Sequence, residues 1–599
     1  MSGFALQEWS TMHRFRAIPW RRLPLRPIAA VAAIAIVAAS ATAFLGGKDE
    51  ATGPGVSLAG QPVESGLPAN AQPTRGGQLV YGLEAESSGG YCLPEAQLAM
   101  SGIQVARAIY DPLVTPDAKG GYAPYLAKSV THDDSYTTWT ITLRSGVTFH
   151  DGSPLDATVV KNNLDAYRGA YPARSALLFT FVFQDIASVS VVNELTVAVK
   201  TKVPWVAFPA ALYGSGRIGI MAQAQLDASK TACETKPIGT GPFRFVSWTP
   251  DVSLRVARNA DYWQEAPDGK PYPYLDGIDF RPVPNSDERL AELQEGELNM
   301  LQTSVMSDMA DNLIRQRDEG TINLLVSEEH TETNYLMLNV SNPLLAQRDV
   351  RVAIAHAIDR KALNQTANKG FASLATGPFA PDVPGYLEDN GAPSFDLASA
   401  KTAVAALRAK GQDPTLRLLT STAPASIRIA VLEKRMLEAA GFTIELETET
   451  EADLIDRVIA GDYDIAAFRN QPGDDPDSNY HWWYGAGNPV NFGRFDDADI
   501  NAALDLGRST ADPEARAKAY EAVNRRFGQQ VWNVYLWYAS WAVAEAPDVH
   551  GILGPALLES VRKLDPRVQA RNPVMFVVEI GAVITTVAWL IQVFGGSPL

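Results

Sequence analysis

The stretch that decides the fold is Lys236–Trp248, which reads KPIGTGPFRFVSW. Gly239 and Gly241 lack a Cβ, so both can adopt positive φ angles without a steric clash. Pro237 and Pro242 restrict the backbone on either side of the turn. Residues 243–248 then alternate with a period of two, which is typical of a strand leaving a tight turn. The spacing lacks the Gly and Lys-Ser/Thr positions of a phosphate-binding loop, so the stretch predicts a scaffold corner without chemistry of its own.

Five further motifs accompany this corner along the chain. They are Ile109–Val114 (IYDPLV), Thr140–Leu155 (TITLRSGVTFHDGSPL), Arg258–Trp263 (RNADYW), Ala291–Leu298 (AELQEGEL) and Asp349–Arg360 (DVRVAIAHAIDR). Together with the corner, this ordered set resembles the extracytoplasmic solute-binding proteins of ABC importers, specifically the large oligopeptide/dipeptide/nickel family. The resemblance covers roughly residues 76 to 556.

The resemblance implies an α/β, two-lobed periplasmic-binding-protein-like clamp of type II, with an extra insert domain. Two crossover strands would join the lobes, and a hinge would close the cleft over a ligand. We expect lobe I at residues 78–111, 216–330 and 536–557, the insert domain at 112–215, and lobe II at 331–535.

The periodicity of the sequence fits alternating helices and strands. We predict strands at 78–83, 137–143, 189–199, 443–446 and 464–468. We predict helices at 157–168, 349–360 and 427–440, the last of them closed by Gly441.

Composition and charge narrow the class of protein. The chain has 599 residues, a net charge of −17 and only two cysteines, Cys92 and Cys233. A protein that neutralises phosphates is basic, so nucleic acid is not an expected partner. Two cysteines exclude a four-cysteine zinc site, but outside the cytoplasm they could pair. Such a bridge is frequent in the resembled family, which implies a Cys92–Cys233 disulfide.

The N-terminal segment predicts export. Five arginines and a single acid precede an uncharged run, Ile28–Leu45, which contains a stretch of small residues at 39–43. These are the parts of a signal peptide over residues 1–46, although the run is also long enough for an uncleaved membrane anchor. Residues 47–77 are rich in Gly, Pro and Ala and predict a flexible linker. The globular part would then lie outside the cytoplasmic membrane.

The C-terminal segment does not follow the family pattern. Residues 562–594 resemble the start of the catalytic B subunit of potassium-transporting P-type ATPases, including its first membrane helix. Val574–Phe594 is long enough to span a bilayer. The phosphorylation motif and the ATP-binding domain of that subunit are missing, and the basic flank conflicts with an exported position. Residues 558–599 are therefore interpreted as a basic flank with a transmembrane helix, acting at most as an anchor.

Motifs for catalysis or metal binding are weak. The seven histidines show no zinc spacing, and the sequence contains no nucleophile elbow and no P-loop. His150 and Asp151 could form a catalytic dyad, but the alternative is a framework turn after a strand. Residues 474–479 begin like a calcium loop, yet Tyr480 replaces the required glycine. No cofactor and no metal are expected.

The most informative candidate for ligand binding is the segment 470–484, which follows the strand predicted at 464–468. Loops after strands face the cleft in α/β lobes, and carboxylates beside aromatic rings suit a ligand with a cation or polyol groups. In peptide-binding relatives an aspartate binds the peptide amino terminus, but here Pro472 occupies that position, and Asp474 is the remaining candidate. The alternative is that the tryptophans belong to the core and the aspartates cap a helix. The predicted ligand-binding residues are Asn470, Gln471, Asp474, Asp475, Trp482, Trp483, Trp537 and Tyr538.

Three functional hypotheses follow from these observations. The first is an extracytoplasmic solute-binding protein that captures a peptide-like or other small solute and delivers it to ABC permease subunits, without catalysis. The second is a membrane-tethered sensor or accessory subunit, which the two apolar ends allow. The third is a hydrolase acting in the cleft, for which no nucleophile–base pair is visible.

Overall fold

Four β-sheets organise the residues that the computed structural model describes, namely 73–550 except 88, 97, 118–120, 177, 328–331, 382, 471–474 and 486. The predicted signal or anchor helix and the predicted C-terminal helix lie outside these residues. Within them, no helix combines the length and the apolar composition needed to cross a bilayer.

The strands, in chain order, are β1 (Gln78–Leu83), β2 (Val114–Pro116), β3 (Tyr122–Pro124), β4 (Ala127–His132), β5 (Thr138–Leu143), β6 (Ile186–Asn193), β7 (Thr196–Thr201), β8 (Phe243–Thr249), β9 (Ser253–Arg258), β10 (Gly277–Pro282), β11 (Met300–Thr303), β12 (Asn323–Ser327), β13 (Thr333–Leu338), β14 (Thr415–Ser421), β15 (Thr443–Glu449), β16 (Ile465–Asn470), β17 (Asn533–Tyr538) and β18 (Trp541–Glu545).

The α-helices, in chain order, are α1 (Met100–Ile109), α2 (Ala157–Tyr167), α3 (Phe179–Val182), α4 (Phe208–Tyr213), α5 (Gln223–Leu226), α6 (Lys230–Thr235), α7 (Ser286–Glu295), α8 (Met306–Asp308), α9 (Ile314–Asp318), α10 (Arg348–Ala357), α11 (Arg360–Ala367), α12 (Leu397–Ala409), α13 (Pro424–Ala440), α14 (Glu451–Ala460), α15 (Tyr480–Trp483), α16 (Ala498–Ser509) and α17 (Pro513–Gln530). Short 3₁₀ turns span Gly214–Gly216 and Pro476–Asn479, and a π-turn spans Met309–Leu313.

Two large mixed sheets form the frame. The seven-stranded sheet has the order β12-β18-β11-β1-β10-β9-β8, with β1 parallel to both β10 and β11. The five-stranded sheet has the order β15-β14-β16-β13-β17, with β14 parallel to both β15 and β16. A four-stranded antiparallel sheet, β4-β5-β7-β6, and the β2-β3 pair complete the set. The chain is therefore a mixed α/β protein.

The chain passes between the two large sheets at two places. β12 belongs to the seven-stranded sheet and β13 to the five-stranded sheet, while β17 and β18 make the return. The crossings lie side by side, because the Ala539 amide donates to the Glu332 carbonyl over 2.9 Å. All six residues of β17 are buried.

The glycine corner at the start of β8 forms as a tight approach between backbones. Neither Gly239 nor Gly241 has a positive φ, so the predicted reason for these glycines is wrong. A Cβ on Gly239 would lie 2.0 Å from the Ile109 carbonyl oxygen, and one on Gly241 would lie 2.6 Å from the carbonyl carbon of the same residue. The glycines are needed because α1 ends directly against them.

Side chains from two of the other motifs, Ile109–Val114 and Arg258–Trp263, meet at the same corner. The buried Asp111 carboxylate accepts hydrogen bonds from Thr240 Oγ1 (3.0 Å), Tyr262 Oη (3.2 Å) and Trp263 Nε1 (2.9 Å). Burial raises the pKa of this carboxyl group, while the hydrogen bond from Trp263 works in the opposite direction.

Two predicted elements end differently in the structure. The strand predicted at 189–199 is a hairpin of β6 and β7, because Asn193 Oδ1 accepts the Leu195 amide (3.0 Å) and turns the chain between two β-branched runs. The helix predicted at 349–360 ends at Ala357. Asp359 then caps a separate helix, α11, by accepting the Ala362 amide (3.0 Å). The predicted strand at 78–83 and the helix end at Gly441, which has φ 104°, are confirmed.

A disulfide bonds Cys92 to Cys233, which are 141 residues apart in the chain. Both cysteines are fully buried in the core beside the seven-stranded sheet. Arg174 Nη1 lies 3.0 Å from Cys92 Sγ.

Candidate functional site

A cavity of about 1140 Å³ lies between the seven-stranded and the five-stranded sheet, with further wall residues from the segment around the four-stranded sheet. The carboxyl ends of parallel strands border it from both sides. Glu84 and Ser304 follow β1 and β11, while Ser421 and Arg469 lie at the ends of β14 and β16. Ligands of open α/β sheets bind at this edge of the strands, so the topology itself directs a binding site here.

An ionic group joins the two sides of the cavity. The Glu84 carboxylate accepts a hydrogen bond from the Ser304 amide at 2.6 Å. The Ser304 hydroxyl oxygen accepts one from Arg469 Nη1 at 2.8 Å. Arg469 also lies 3.8 Å from a carboxylate oxygen of Glu84 and 3.8 Å from one of Glu332. Arg289, on α7, approaches Glu84 to 3.6 Å.

Glu332 sits at the crossing between the sheets. Its Oε2 accepts Trp541 Nε1 over 2.7 Å, and the Arg469 guanidinium lies over the Trp541 ring, 4.8 Å from its centroid. Burial raises the pKa of Glu332, while Arg469 and the Trp541 hydrogen bond act in the opposite direction. Burial opposes the charge of Arg469, yet Glu332 and Glu84 raise its pKa overall. The wall therefore places a guanidinium beside a buried carboxyl group.

A second polar group lines the opposite part of the wall. Arg217 follows the 3₁₀ turn Gly214–Gly216, and its Nε donates to the Leu98 carbonyl at 2.8 Å. The rings of His481 and Trp482 are in contact, with centroids 4.3 Å apart and planes tilted by 48°. Burial, together with the charges of Arg508 and Arg217, lowers the pKa of His481 to about 3, so its imidazole is neutral at physiological pH.

A buried charge network at one rim of the cavity connects the four-stranded-sheet segment to the five-stranded-sheet segment. Arg508 bonds Asp477 (Nε to Oδ1, 3.0 Å) and Asp185 (Nη1 to Oδ2, 2.7 Å). Trp205 Nε1 donates to Asp477 Oδ2 at 2.8 Å, and the Val206 amide donates to the Arg508 carbonyl at 2.9 Å. The side chains of Arg508 and Asp477 are only 3% and 4% exposed. We call this network the rim latch.

Of the ligand-binding residues predicted from the sequence, some line the cavity and others do not. Trp482, Trp483 and Trp537 line the cavity. Trp483 is also 5% exposed and packs edge-on against Phe379 and Phe527, so it belongs to the core as well. Tyr538 faces away from the cavity, because its hydroxyl donates to the Phe379 carbonyl at 2.8 Å.

The predicted polar residues of the segment 470–475 do not line the cavity in the described part of the chain. Gln471 and Asp474 lie outside the described residues, and of Asn470 only the backbone position at the end of β16 is described. Asp475 is not part of the cavity wall. Its Oδ1 accepts the Asp477 amide at 2.9 Å as the cap of the 3₁₀ turn, and it pairs with Arg516 at 2.5 Å.

His150 and Asp151 do not face each other as a dyad. The His150 ring bonds to the glycine corner, with Nε2 3.0 Å from the Gly241 carbonyl and Nδ1 accepting the Gly239 amide at 3.3 Å. Asp151 Oδ1 instead accepts a hydrogen bond from the hydroxyl group of Ser153. Burial lowers the pKa of His150 to about 4. The motif is the framework turn that the sequence offered as the alternative. In the described part of the chain, no three His, Cys, Asp or Glu side chains cluster closely enough to hold a metal ion.

Sequence reasoning missed charged residues of the wall that include Glu84, Arg217, Arg289, Glu332 and Arg469. They come from segments far apart in the chain, so no local pattern unites them. The available signal was positional: Glu84 and Arg469 are charges placed directly after apolar strands, where parallel strands end.

Comparison with known proteins identifies the family. The model of bacterial extracellular solute-binding proteins, family 5 Middle, matches residues 121–491, which is more than half of the chain. The glutathione-binding protein GsiB of Salmonella paratyphi A is 32% identical over 279 residues, which are 47% of this chain and 52% of that protein. Its Escherichia coli K12 counterpart is 30% identical over the same length. The chain thus spans about half the length of the curated relatives it matches.

Solved structures agree with this fold. The oligopeptide-binding protein AppA of Bacillus subtilis, in complex with a nonapeptide, has a TM-score of 0.70 at 20% identity, covering 79% of this chain and 95% of that one. AgaA of A. tumefaciens R10, in complex with agropinic acid, has a TM-score of 0.69 at 26% identity, covering 78% and 93%. The resemblance of the framework motifs is thereby confirmed, and the chain belongs to the family 5 bacterial extracellular solute-binding proteins.

Proposed function

We propose that this protein is the extracytoplasmic solute-binding component of an ABC importer, which captures a peptide-like or other small solute and delivers it to permease subunits. The observation that carries the proposal is the cavity of about 1140 Å³ enclosed between two sheets, because small-molecule sites are concave and bury most of the ligand. Relatives whose names state a ligand bind glutathione, a nonapeptide or agropinic acid, so the expected class is a small polar organic solute.

The proposed architecture is a hinged clamp. Lobe I comprises residues 78–111, 216–330 and 536–557, an insert domain comprises 112–215, and lobe II comprises 331–535. The distribution of strands over the sheets supports these divisions, and the two adjacent crossings suit a hinge. Residues 1–46 would direct export or anchor the protein at the outer face of the membrane, and residues 558–599 would act as a second anchor.

The proposed ligand contacts combine aromatic and charged wall residues. Trp482, Trp483 and Trp537 offer flat faces, and Arg469 with Glu332 offers a matched pair of charges that a zwitterionic solute can engage. Gln471, Asp474 and Asn470 remain candidates at the end of β16. In the cavity wall the Ser304 hydroxyl donates to the Glu84 carboxylate at 3.0 Å. The same hydroxyl accepts a hydrogen bond from Arg469 Nη1, and Glu84 also accepts the Ser304 amide, so we assign this group to the framework of the wall and propose binding without covalent chemistry.

A cavity-blocking substitution tests this proposal. Asn334 lines the cavity on β13, beside Arg469 and Trp537 in the sheet register. We expect Asn334→Trp to fill the cavity and to abolish the rise in melting temperature that a bound solute produces in a screen of peptides, opines and sugar acids. Val246→Trp, at a position on β8 that is 57% exposed, is the matched control and should keep the shift. Equal thermal shifts in both variants would contradict binding in this cavity.

A further inference from the structure

Part of the cavity wall is lined by aromatic and aliphatic side chains from the segment around the five-stranded sheet. The ring centroids of Trp482 and Phe492 are 5.2 Å apart, and those of Phe468 and Phe492 are 6.3 Å apart. Ile455, on α14, belongs to the same wall. Phe492 is 6% exposed, whereas Phe468, Trp482 and Ile455 are only partly buried. These three side chains therefore border space that the protein itself does not fill.

A second set of apolar side chains borders the same part of the cavity. It comes from the segment around α3, which packs against α15. Leu178 and Val182 line the cavity and are partly exposed, and Leu178 also packs against the core that contains Phe492. Two separate segments thus contribute apolar surface to one place. We call this place the apolar compartment, and its walls are Ile455, Phe468, Trp482 and Phe492 from one segment and Leu178 and Val182 from the other.

The charged groups beside the compartment are engaged or point elsewhere. Arg469 follows Phe468 on β16, so its side chain leaves the opposite face of the strand. Asp477 and Arg508 bond each other in the rim latch. His481, next to Trp482, is neutral at physiological pH because its pKa is lowered to about 3. A charged solute group placed among the apolar side chains would therefore lose its hydration without gaining a partner there.

Glu451 defines the competing occupant. It lies four residues before Ile455, on the same face of α14, and also borders the cavity. A basic solute group beside this carboxylate is the alternative to an apolar group. Glu451 is partly exposed and lies in the first turn of its helix, where the helix dipole already stabilises its charge. A cation paired with such a group gains little, so the apolar surface decides the chemistry.

We propose that the solute carries, besides its polar groups, one aromatic or branched aliphatic side group that the apolar compartment buries. The inference deepens the proposed function and rests on it, because the side group belongs to the solute that the cavity holds. Aromatic rings pack edge-on or offset with centroids about 4.5 to 7 Å apart, and the rings of the wall already have this spacing. An incoming ring extends the same arrangement. Since the walls come from two segments, the buried group also holds those segments together.

Tripeptides test the side group directly in titration calorimetry of the full-length protein. The probes are trialanine and its derivatives in which one position at a time is phenylalanine, leucine, aspartate or lysine. At one of the three positions, phenylalanine or leucine should strengthen binding roughly 10- to 100-fold over alanine, because it buries a large apolar side chain. Aspartate at that position should weaken binding. Equal affinities at all three positions, or lysine binding as tightly as phenylalanine, would overturn the compartment.

A charge placed in the wall tests which residues form the compartment. Ile455→Asp should abolish the preference for phenylalanine and favour lysine at the same position. Ile459→Asp is the matched control, since Ile459 lies one turn later on α14 and packs against the same core, but does not border the cavity in the described structure. It should keep the preference for phenylalanine. If Ile455→Asp does not fold, Val182→Asn, from the other segment, serves instead. A preference that survives in the folded wall variant would contradict the assignment.

A solute-independent probe separates failure of the compartment from failure of the proposed function. The neutral fluorophore phenylnaphthylamine should become brighter with the wild type and with Ile459→Asp, but not with Ile455→Asp. If the fluorophore behaves in this way and no tripeptide or other solute binds, the compartment stands and the proposed function fails. If tripeptides bind without any preference and the fluorophore stays dark, the compartment is refuted and the proposed function stands.

Discussion

Glu433 shows how one buried side chain can make stability depend on pH. It lies on α13 in the cavity wall and is 0% exposed, and neither of its carboxylate oxygens has a hydrogen-bond partner among the residues that the structure describes. Burial raises its pKa from 4.5 to about 8. Because the folded state holds the proton more tightly than the unfolded state, folding takes up a proton between these two values. The stability from this group is therefore complete below pH 4.5 and is lost as the pH rises towards 8.

The substitution Glu433→Gln should remove this loss. We expect equal unfolding free energies for variant and wild type near pH 4.5, and a variant that is more stable by up to about 4 kcal/mol at pH 8. Denaturant unfolding at both pH values measures the difference. Glu438→Gln is the control on the same helix, since Glu438 is 41% exposed and pairs with Lys434. A difference in unfolding free energy between Glu433→Gln and the wild type that does not change with pH would contradict a raised pKa of Glu433.

At the scale of residues, the sequence predicted aromatic wall residues better than charged ones. Trp482, Trp483 and Trp537 could be proposed because clusters of aromatic residues after strands are visible locally. Arg217 could not, because its meaning depends on α1, more than a hundred residues earlier in the chain. A charge pair such as Glu84 with Arg469 cannot be recognised from the sequence, because its two residues lie far apart in the chain and approach each other only in the folded protein.

At the scale of elements, the corner at Gly239 and Gly241 explains why the framework motifs could be read from the sequence. Four of the six motifs each supply one side of the same junction: the end of α1, the His150 turn, the start of β8 and the aromatic residues after β9. The close approach of two backbones allows only glycine, so the residue types are fixed by packing. Sequence reasoning found the corner but assigned the wrong cause, since a φ angle and a close contact both select glycine.

Gly239→Ala should therefore destabilise the protein strongly. The new methyl group would lie 2.0 Å from the Ile109 carbonyl oxygen, and a backbone atom cannot move aside as a flexible side chain does. We expect a loss of about 3 kcal/mol or more in the free energy of unfolding. Gly146→Ala is the control: its φ is 78° and nothing lies near the new methyl, so a cost of about 1 kcal/mol is expected. Equal losses would mean that the contact with Ile109 is not what requires glycine.

Element boundaries were the less predictable part of the fold. The period of apolar residues in 349–360 continues past Ala357, but the cap at Asp359 begins a new helix. The side chain of a capping residue can end one helix and begin another, and the spacing of apolar residues does not reveal such a break.

At the scale of the whole molecule, the rim latch connects the segment around the four-stranded sheet to the five-stranded-sheet segment. Arg508 bonds both Asp477, which lies in its own segment, and Asp185, which lies across the rim. Burial opposes the charge of Arg508, while Asp477 and Asp185 raise its pKa. In the proposed hinged clamp, the bond to Asp185 would favour the closed form.

Asp185→Asn should shift the clamp towards an open form. Loss of one charged hydrogen bond across the rim, worth about 1 to 2 kcal/mol, should weaken solute binding roughly 5- to 30-fold, mainly through faster dissociation. Stopped-flow dissociation and small-angle X-ray scattering would record the change. Asp261→Asn is the control, because Asp261 is 75% exposed and pairs with Arg244 away from the cleft. Unchanged dissociation in Asp185→Asn would contradict a role for the latch in closure.

Native mass spectrometry of the full-length protein, purified without added ligand, tests the central claim most directly. We predict a population whose mass exceeds that of the chain by one small solute, which denaturation releases with its mass unchanged after prolonged incubation. The Asn334→Trp variant should lack this population. A solute that is retained by Asn334→Trp, or one that the protein converts into a product, would contradict a cavity that holds its guest between two lobes and leaves it intact.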